Sequence, residues 1–239
     1  SSSVSWARRC VEETADEYFT VRRAYRIPFM EYGEEEEIWL AFDSRDVDIV
    51  RAPLVNDVYN RYYWAGDGAP KYNTLERLQG SQTEYLLGIP QPDNAPTIDA
   101  DYPDAEELTS TRAYVYTFVS DFGEEGPPSD PTIATGGTDG PWEISSMDTT
   151  PDQQSSRNIT KKRIYRTVSG NTSTSFYFVA EVALNVMSYE DDSTDDEVVS
   201  NNVLESTEYF PPPSDLEGFV AMPNGFLVGW VGRRLVFSE

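Results

Sequence analysis

The 239-residue chain carries 42 acidic against 18 basic side chains, a formal charge of −24, with one cysteine and no histidine. Such a surface repels phosphate, which argues against sequence-specific DNA binding through a basic patch and against docking on an anionic membrane; the lone Cys10 excludes an intrachain disulfide, and the missing imidazole removes the usual general base and the commonest metal ligand. Aromatics at 13% are still plentiful enough for a packed core at a mean hydropathy of −0.53, and no apolar run approaches the ~20 residues of a membrane span.

Residues 1–30 hold two short apolar stretches among charges, VSWARRCVEE and YFTVRRAYRIPFM. The second alternates in part, through Phe19, Val21, Tyr25, Ile27 and Phe29, and reads as strand. Glu31 to Glu37 is a turn at Gly33 followed by a like-charge run. Consecutive side chains diverge and do not converge on one ion, so a solvated loop or strand end is favoured over a cation site. IWLAF from Ile38 and DVDIV from Asp46 are short strand candidates. RYYWAGDGAPKY is an aromatic strand broken at Gly66-Asp67-Gly68. Asp67 between two glycines could hold a metal or a phosphate, but far more often such a residue marks a turn that tolerates positive φ. TLERLQGSQTEYLL hints at a helical period that Gly80 interrupts, and residues 88–106, with four prolines and no periodicity, read as a linker.

The stretch AYVYTFVSDFGEEGPPS from Ala113 to Ser129 organises the rest of the chain. Tyr114, Tyr116 and Phe118 alternate with Val115, Thr117 and Val119, the period of a strand with one buried face. Asp121, Gly123 and Gly126 then supply a reversal, and Pro127 and Pro128 an edge segment. PWEISSM is a short strand with Trp142 and Ile144 on one face. A second aromatic hairpin runs from Ile159 to Thr167, turns through Ser169, Gly170 and Asn171, and returns from Ser175 to Leu184; together these strands form one expected β-sandwich. In SYEDDSTDDE, Asp191, Asp192, Asp195 and Asp196 could supply oxygen ligands to calcium. The run lacks the every-second-residue ligands and the turn glycine of an EF-hand, so a solvated loop is the default. Pro211 to Pro213 mark a second linker. The last stretch, GFVAMPNGFLVGWVGRRLVFSE, gives two or three short strands broken by Pro-Asn-Gly and Gly-Arg-Arg, which suits a meander or a propeller blade. RLVFSE reads as a strand cut in mid-course, so a longer parent chain is expected.

The expected architecture is therefore mainly β: an N-terminal β region over 1–87, a linker over 88–106, a sandwich over 107–197, a linker over 198–214, and a β segment over 215–239. That last segment either packs with 1–87, which makes the sandwich an insertion, or continues into a propeller.

YVYTFVSDFGEEGPPS is similar to the end of a fibronectin type III domain, and IYRTVSGNTSTSFYFVAEV followed by SYEDD resembles the middle of the same fold. In an ordinary fibronectin domain the middle hairpin comes first, so the resemblance implies a permuted, inserted or merely fibronectin-like sandwich of the immunoglobulin kind. Asp46 to Tyr72 and Pro211 to Glu239 resemble virion proteins of tailed bacteriophages. The second is similar to the segment by which tail nozzle proteins (tail tubular protein B) of short-tailed phages enter a propeller-like body. The resemblance implies a structural, non-enzymatic subunit of a tail or head-to-tail connector in the virion, without cofactors. Its partners would be copies of itself in a ring, six-fold or a multiple, and neighbouring tail proteins, around double-stranded DNA that passes during ejection without sequence-specific binding.

Two other classes compete. Aromatic-rich sandwiches stack sugars, which would make this a receptor- or carbohydrate-binding module; Trp64 beside Gly66-Asp67-Gly68 is the local candidate, with a tryptophan packed before a turn as the favoured reading. A glycosidase needs two carboxyls roughly 5 to 10 Å apart across a sugar, and a single sequence with 42 acids nominates no pair. Cys10 has no histidine to activate it, and no Gly-x-Ser-x-Gly elbow is present. Tyr62, Tyr63, Trp64, Tyr116, Phe118, Phe176 and Phe178 are aromatic candidates for subunit contacts, although alternate aromatics on strands usually face inward, which leaves loops as the expected interfaces.

Overall fold

A computed structural model describes residues 20–54, 56–100, 108–138, 140–168 and 175–238. The stretch VSWARRCVEE with Cys10, and the turn at Ser169, Gly170 and Asn171, lie outside the described residues. The protein is mainly β and every named strand pair is antiparallel. It divides into two compact units, Ser1–Leu87 with Pro212–Glu239, and Gly88–Pro211.

In the first unit, β1 (Arg23–Glu31) and β2 (Glu34–Phe42) form a hairpin. Tyr32 and Gly33 both take positive φ, 49° and 87°, the twist that a two-residue hairpin turn requires. The like-charge run Glu34–Glu37 is thus the opening half of a strand, and it remains exposed. Alternation puts Tyr25, Ile27, Phe29, Ile38 and Leu40 on one face, which packs on Tyr62 and Leu78. The opposite face carries Arg26, Trp39 and Glu37. There the Glu37 carboxylate accepts from the Trp39 indole at 2.9 Å and from Arg26, and these bonds hold its pKa below the usual range. Next, β3 (Asp48–Arg51), β4 (Arg61–Ala65), β5 (Lys71–Thr74) and β6 (Tyr85–Leu86) form one sheet in that order. The short helix α1 (Leu75–Gln79) follows β5, capped by the Thr74 hydroxyl, which accepts from Arg77 N–H at 3.2 Å.

The second unit contains β7 (Thr97–Ala100), β8 (Thr109–Ser120), β9 (Thr132–Gly137), β10 (Trp142–Ser145), β11 (Ile159–Arg166), β12 (Tyr177–Ala183), β13 (Tyr189–Asp191) and the helix α2 (Asp195–Val199). Two sheets, β13-β10-β7 and β12-β11-β8-β9, share one core of Tyr114, Tyr116, Phe118, Trp142, Ile144 and Ile164. Strand β7 lies within the stretch expected to be a linker; between its prolines, Ile98 and Ala100 alternate inward onto that core. The reversal after β8 forms through bonds from Gly123 N–H to Ser120 O and from Gly126 N–H to Phe118 O, and the returning segment lies along β8.

Strand β8 departs from the half-buried expectation. Val115, Thr117 and Val119 are as buried as the aromatics that alternate with them. On the second face Val115 packs with Tyr165, Leu204, Phe176 and Phe178, with Leu204 N–H donating to Phe176 O and Phe178 N–H to Asn202 O, while the Thr117 hydroxyl donates to Glu125 at 2.6 Å. Asn202 and Leu204, within the stretch 198–214 expected as a linker, contribute to that packing.

Lys162 of β11 points into the unit, wholly buried, and donates to the carbonyls of Asp148 at 3.0 Å and Val186 at 2.6 Å. Burial pushes its pKa down to about 8. An unfolded lysine titrates near ~10.4, so between these values the unfolded chain holds the extra proton and stability rises with pH. Tyr114, Tyr116 and Tyr165 are held above the ordinary tyrosine range by burial, so above pH ~10 the unfolded chain ionises first and stability falls. Urea midpoints should therefore pass through a maximum near pH ~10, and Lys162→Met should flatten the rising limb. A wild-type midpoint that does not rise above pH ~8 would contradict the assignment.

Candidate functional site

Trp64 and Asp67 line one cavity of about 350 Å³ in the first unit. Its floor is apolar, from Ile38, Leu40 and Phe42 of β2 with Trp64 of β4 and Leu78 of α1; its rim is polar, from Asp67, Asn73 and residues 81–84. Strand pairing explains how these distant residues meet. Strand β4 sets Trp64 opposite Lys71 of β5, and one face of the β1–β2 hairpin packs beside them. Trp64 is 4% exposed, its ring edge-to-face on Phe42 at 6.4 Å and packed against Val47. It contributes wall to the cavity and offers no open ring face to a sugar.

The rim is electrostatically closed on itself. Lys71 Nζ lies 3.6 Å from the Asp67 carboxylate and 3.3 Å from Glu84. Buried Asn73 donates to Gln82 O at 3.0 Å and accepts from Arg77 Nε at 2.9 Å, and the Arg77 guanidinium lies 4.0 Å over the Tyr85 ring. Arg77 also donates to Gln82 Oε1 at 2.6 Å and to Thr83 O. The loop after α1 is thereby fixed as the cavity lip. Both rim carboxylates, Asp67 and Glu84, thus share the one Lys71 ammonium. Asn73, Arg77, Gln82 and Glu84 were not legible as site residues; the Thr74 cap before LERLQ is the signal that places them.

The four candidate calcium carboxylates separate. Asp191 at the end of β13 is wholly buried; its Oδ2 lies 2.8 Å from Arg166 Nε and accepts from Tyr114 OH at 2.8 Å, while its Oδ1 accepts from Ser193 N–H at 3.0 Å. Burial, and then the Asp191 charge, push the Tyr114 pKa upward. Arg166 Nη1 donates to Asp195 Oδ1 at 2.6 Å and its Nη2 to Ser193 O at 2.9 Å. Arg112 of β8 lies 3.4 Å from the same Asp195 oxygen, with its guanidinium 4.7 Å over Trp142. Asp191 and Asp195 thus serve as counter-ions to two arginines, whereas Asp192 and Asp196 are exposed. A capping box sets Asp195 in place: Thr194 N–H donates to Glu197 Oε2 at 2.9 Å, and Glu197 N–H to Thr194 Oγ1 at 3.3 Å. Those bonds hold the Glu197 carboxyl below its usual range. The T-x-x-E spacing was the available signal for this helix. Among the described residues no group of three or more His, Cys, Asp or Glu side chains could hold a metal ion.

The aromatic candidates for subunit contacts are structural. Tyr62, Tyr63, Trp64, Tyr116 and Phe118 are buried, and Phe176 and Phe178 pack on the cluster around Val115 of β8. No protein-family model matches the chain, and no curated protein matches it.

Proposed function

We propose that this chain is a structural subunit of a bacteriophage tail or head-to-tail connector, a nozzle-like ring component around the DNA channel with no catalytic role. The observation that carries the reading is where the large apolar side chains remain exposed. Met30 and Tyr32 sit at a hairpin tip, 68% and 99% exposed, Ile133 on outer strand β9, and Leu235 and Phe237 on an outer strand of the last sheet. Apolar groups on tips and outer strands suit contacts completed by neighbours. The buried charges, in contrast, serve the fold, as Arg166 with Asp191 and Lys162 with two carbonyls do. A charge of −24 also suits a wall past which DNA slides without adhering.

Light scattering on the native protein, with and without double-stranded DNA and calcium, tests this. The expected result is a closed oligomer whose mass DNA does not change. A monomer under every condition that binds a glycan specifically on an array would replace this reading with a carbohydrate-binding module.

A further inference from the structure

The first unit also contains β14 (Gly218–Ala221), β15 (Leu227–Val231) and β16 (Arg234–Phe237), an antiparallel sheet in that order. The ladder fixes which way the β16 backbone points. Gly229 pairs with Val236, Val231 with Arg234, and Ser238 N–H donates to Leu227 O at 2.9 Å. Residues 234, 236 and 238 therefore turn their amides and carbonyls toward β15, and alternation turns those of Leu235 and Phe237 outward. Among the described residues no strand pairs with that edge. Both side chains are 60% exposed. The edge carries no proline, bulge or carboxylate to deter pairing. Exposed Arg233 and Arg234 lead into it, with no ion pair among the described residues and in a chain where cations are scarce.

We propose that this edge pairs with the β1–β2 hairpin of a second copy of the chain, extending its two-stranded sheet along β2. The inference rests on the ring reading and names the contact that would build the ring. Charge complementarity selects the occupant. Strand β2 opens with four glutamates, of which Glu34 and Glu36 have no ion pair among the described residues, and continues apolar. Laid in parallel sense, Arg233-Arg234-Leu235-Val236-Phe237 sets cation against carboxylate and apolar against apolar along Glu36-Glu37-Ile38-Trp39-Leu40. Main-chain bonds at Leu235 and Phe237 supply affinity, and the charges supply register and partner choice. The donor edge and the acceptor hairpin are different surfaces of one chain, so the contact is head-to-tail, and repeated through a closing rotation it generates a ring.

The test is the native mass of Arg233→Glu/Arg234→Glu over a concentration series, with circular dichroism and the urea midpoint as checks on folding. Association is expected to weaken by about tenfold or more, and Glu36→Arg, opposite position 233 in this register, is expected to restore part of it in that background. A folded Arg233→Glu/Arg234→Glu variant with the wild-type mass at every concentration overturns this contact, while the closed oligomer leaves the ring reading standing. A wild-type chain that stays monomeric throughout the series overturns the self-docking itself, and the glycan screen then decides the fate of the ring reading.

Discussion

Replacing Asp191 by alanine is expected to lower the unfolding free energy by about 3–5 kcal/mol, the cost of leaving a buried charge without its partner. Arg166 would keep Asp195 but lose the 2.8 Å contact at its Nε, Tyr114 would lose its acceptor, and Ser193 N–H its bond. All of this happens where Arg166 and Asp191 are fully buried, so water cannot substitute. Asp192→Ala, at the exposed neighbouring position, should change stability by no more than about 0.5 kcal/mol. Replacing the pair together, Asp191→Leu with Arg166→Met, should recover most of the loss, because apolar residues of similar volume often match a buried ion pair. Urea unfolding of the four proteins measures this. An Asp191→Ala loss below about 1 kcal/mol would show that the network contributes nothing to stability.

Gly66→Ala should be more damaging still, with a loss above about 4 kcal/mol or failure to accumulate as folded protein. Gly66 has φ +92°, and a Cβ there would lie 1.9 Å from Asp46 O and 2.9 Å from Glu217 O. Three segments of the first unit converge on this hydrogen-only position: the approach to β3, the end of β4, and the residue before β14. Gly68 provides the control within the same tripeptide. Its φ is +79°, but a Cβ would meet nothing within 4 Å, so Gly68→Ala should lose only the left-handed backbone preference, about 1–2 kcal/mol. Equal losses at the two glycines would mean that the close approach at Gly66 is relieved by relaxation. The Gly-Asp-Gly motif, read from sequence as a turn, therefore has two glycines with different tasks.

The mainly β class was legible because alternation and turn chemistry agree over long stretches. The aromatic strand β8, the hairpin of β11 and β12, and the breaks at Gly66 and Gly68 follow from local pattern alone. What stayed hidden depends on pairing at a distance. Lys162 and Arg166 share the inward face of β11 with Ile164, which inverts the usual assignment of charges to solvent. They do so because Asp148 and Val186 carbonyls and the Asp191 carboxylate await them, and nothing in Lys-Lys-Arg-Ile-Tyr-Arg reveals those partners. Four residues of β7 disappear among prolines, and α2 among acids, although Thr194 and Glu197 stand at capping-box spacing. The groove was half legible. Trp64 and Asp67 were singled out together, yet the apolar floor from β2 and the lip from the loop after α1 arrive through tertiary packing.

The chain leaves the first unit after Leu87 and re-enters it at Pro212. During synthesis, Gly66 and Asp48 thus emerge well before Glu217 and Gly218, the residues they meet across that unit. Closing so long a tether while it is unstructured carries an entropy penalty that grows with its length, and a compact insert shortens the tether. The order of maturation expected from this is that the second unit condenses first and its folding delivers β14 to its partners in the first. Slow-folding mutations in the second unit, such as losses at the Arg166 cluster, are then expected to expose the unfinished first unit to proteolysis even though they lie outside it.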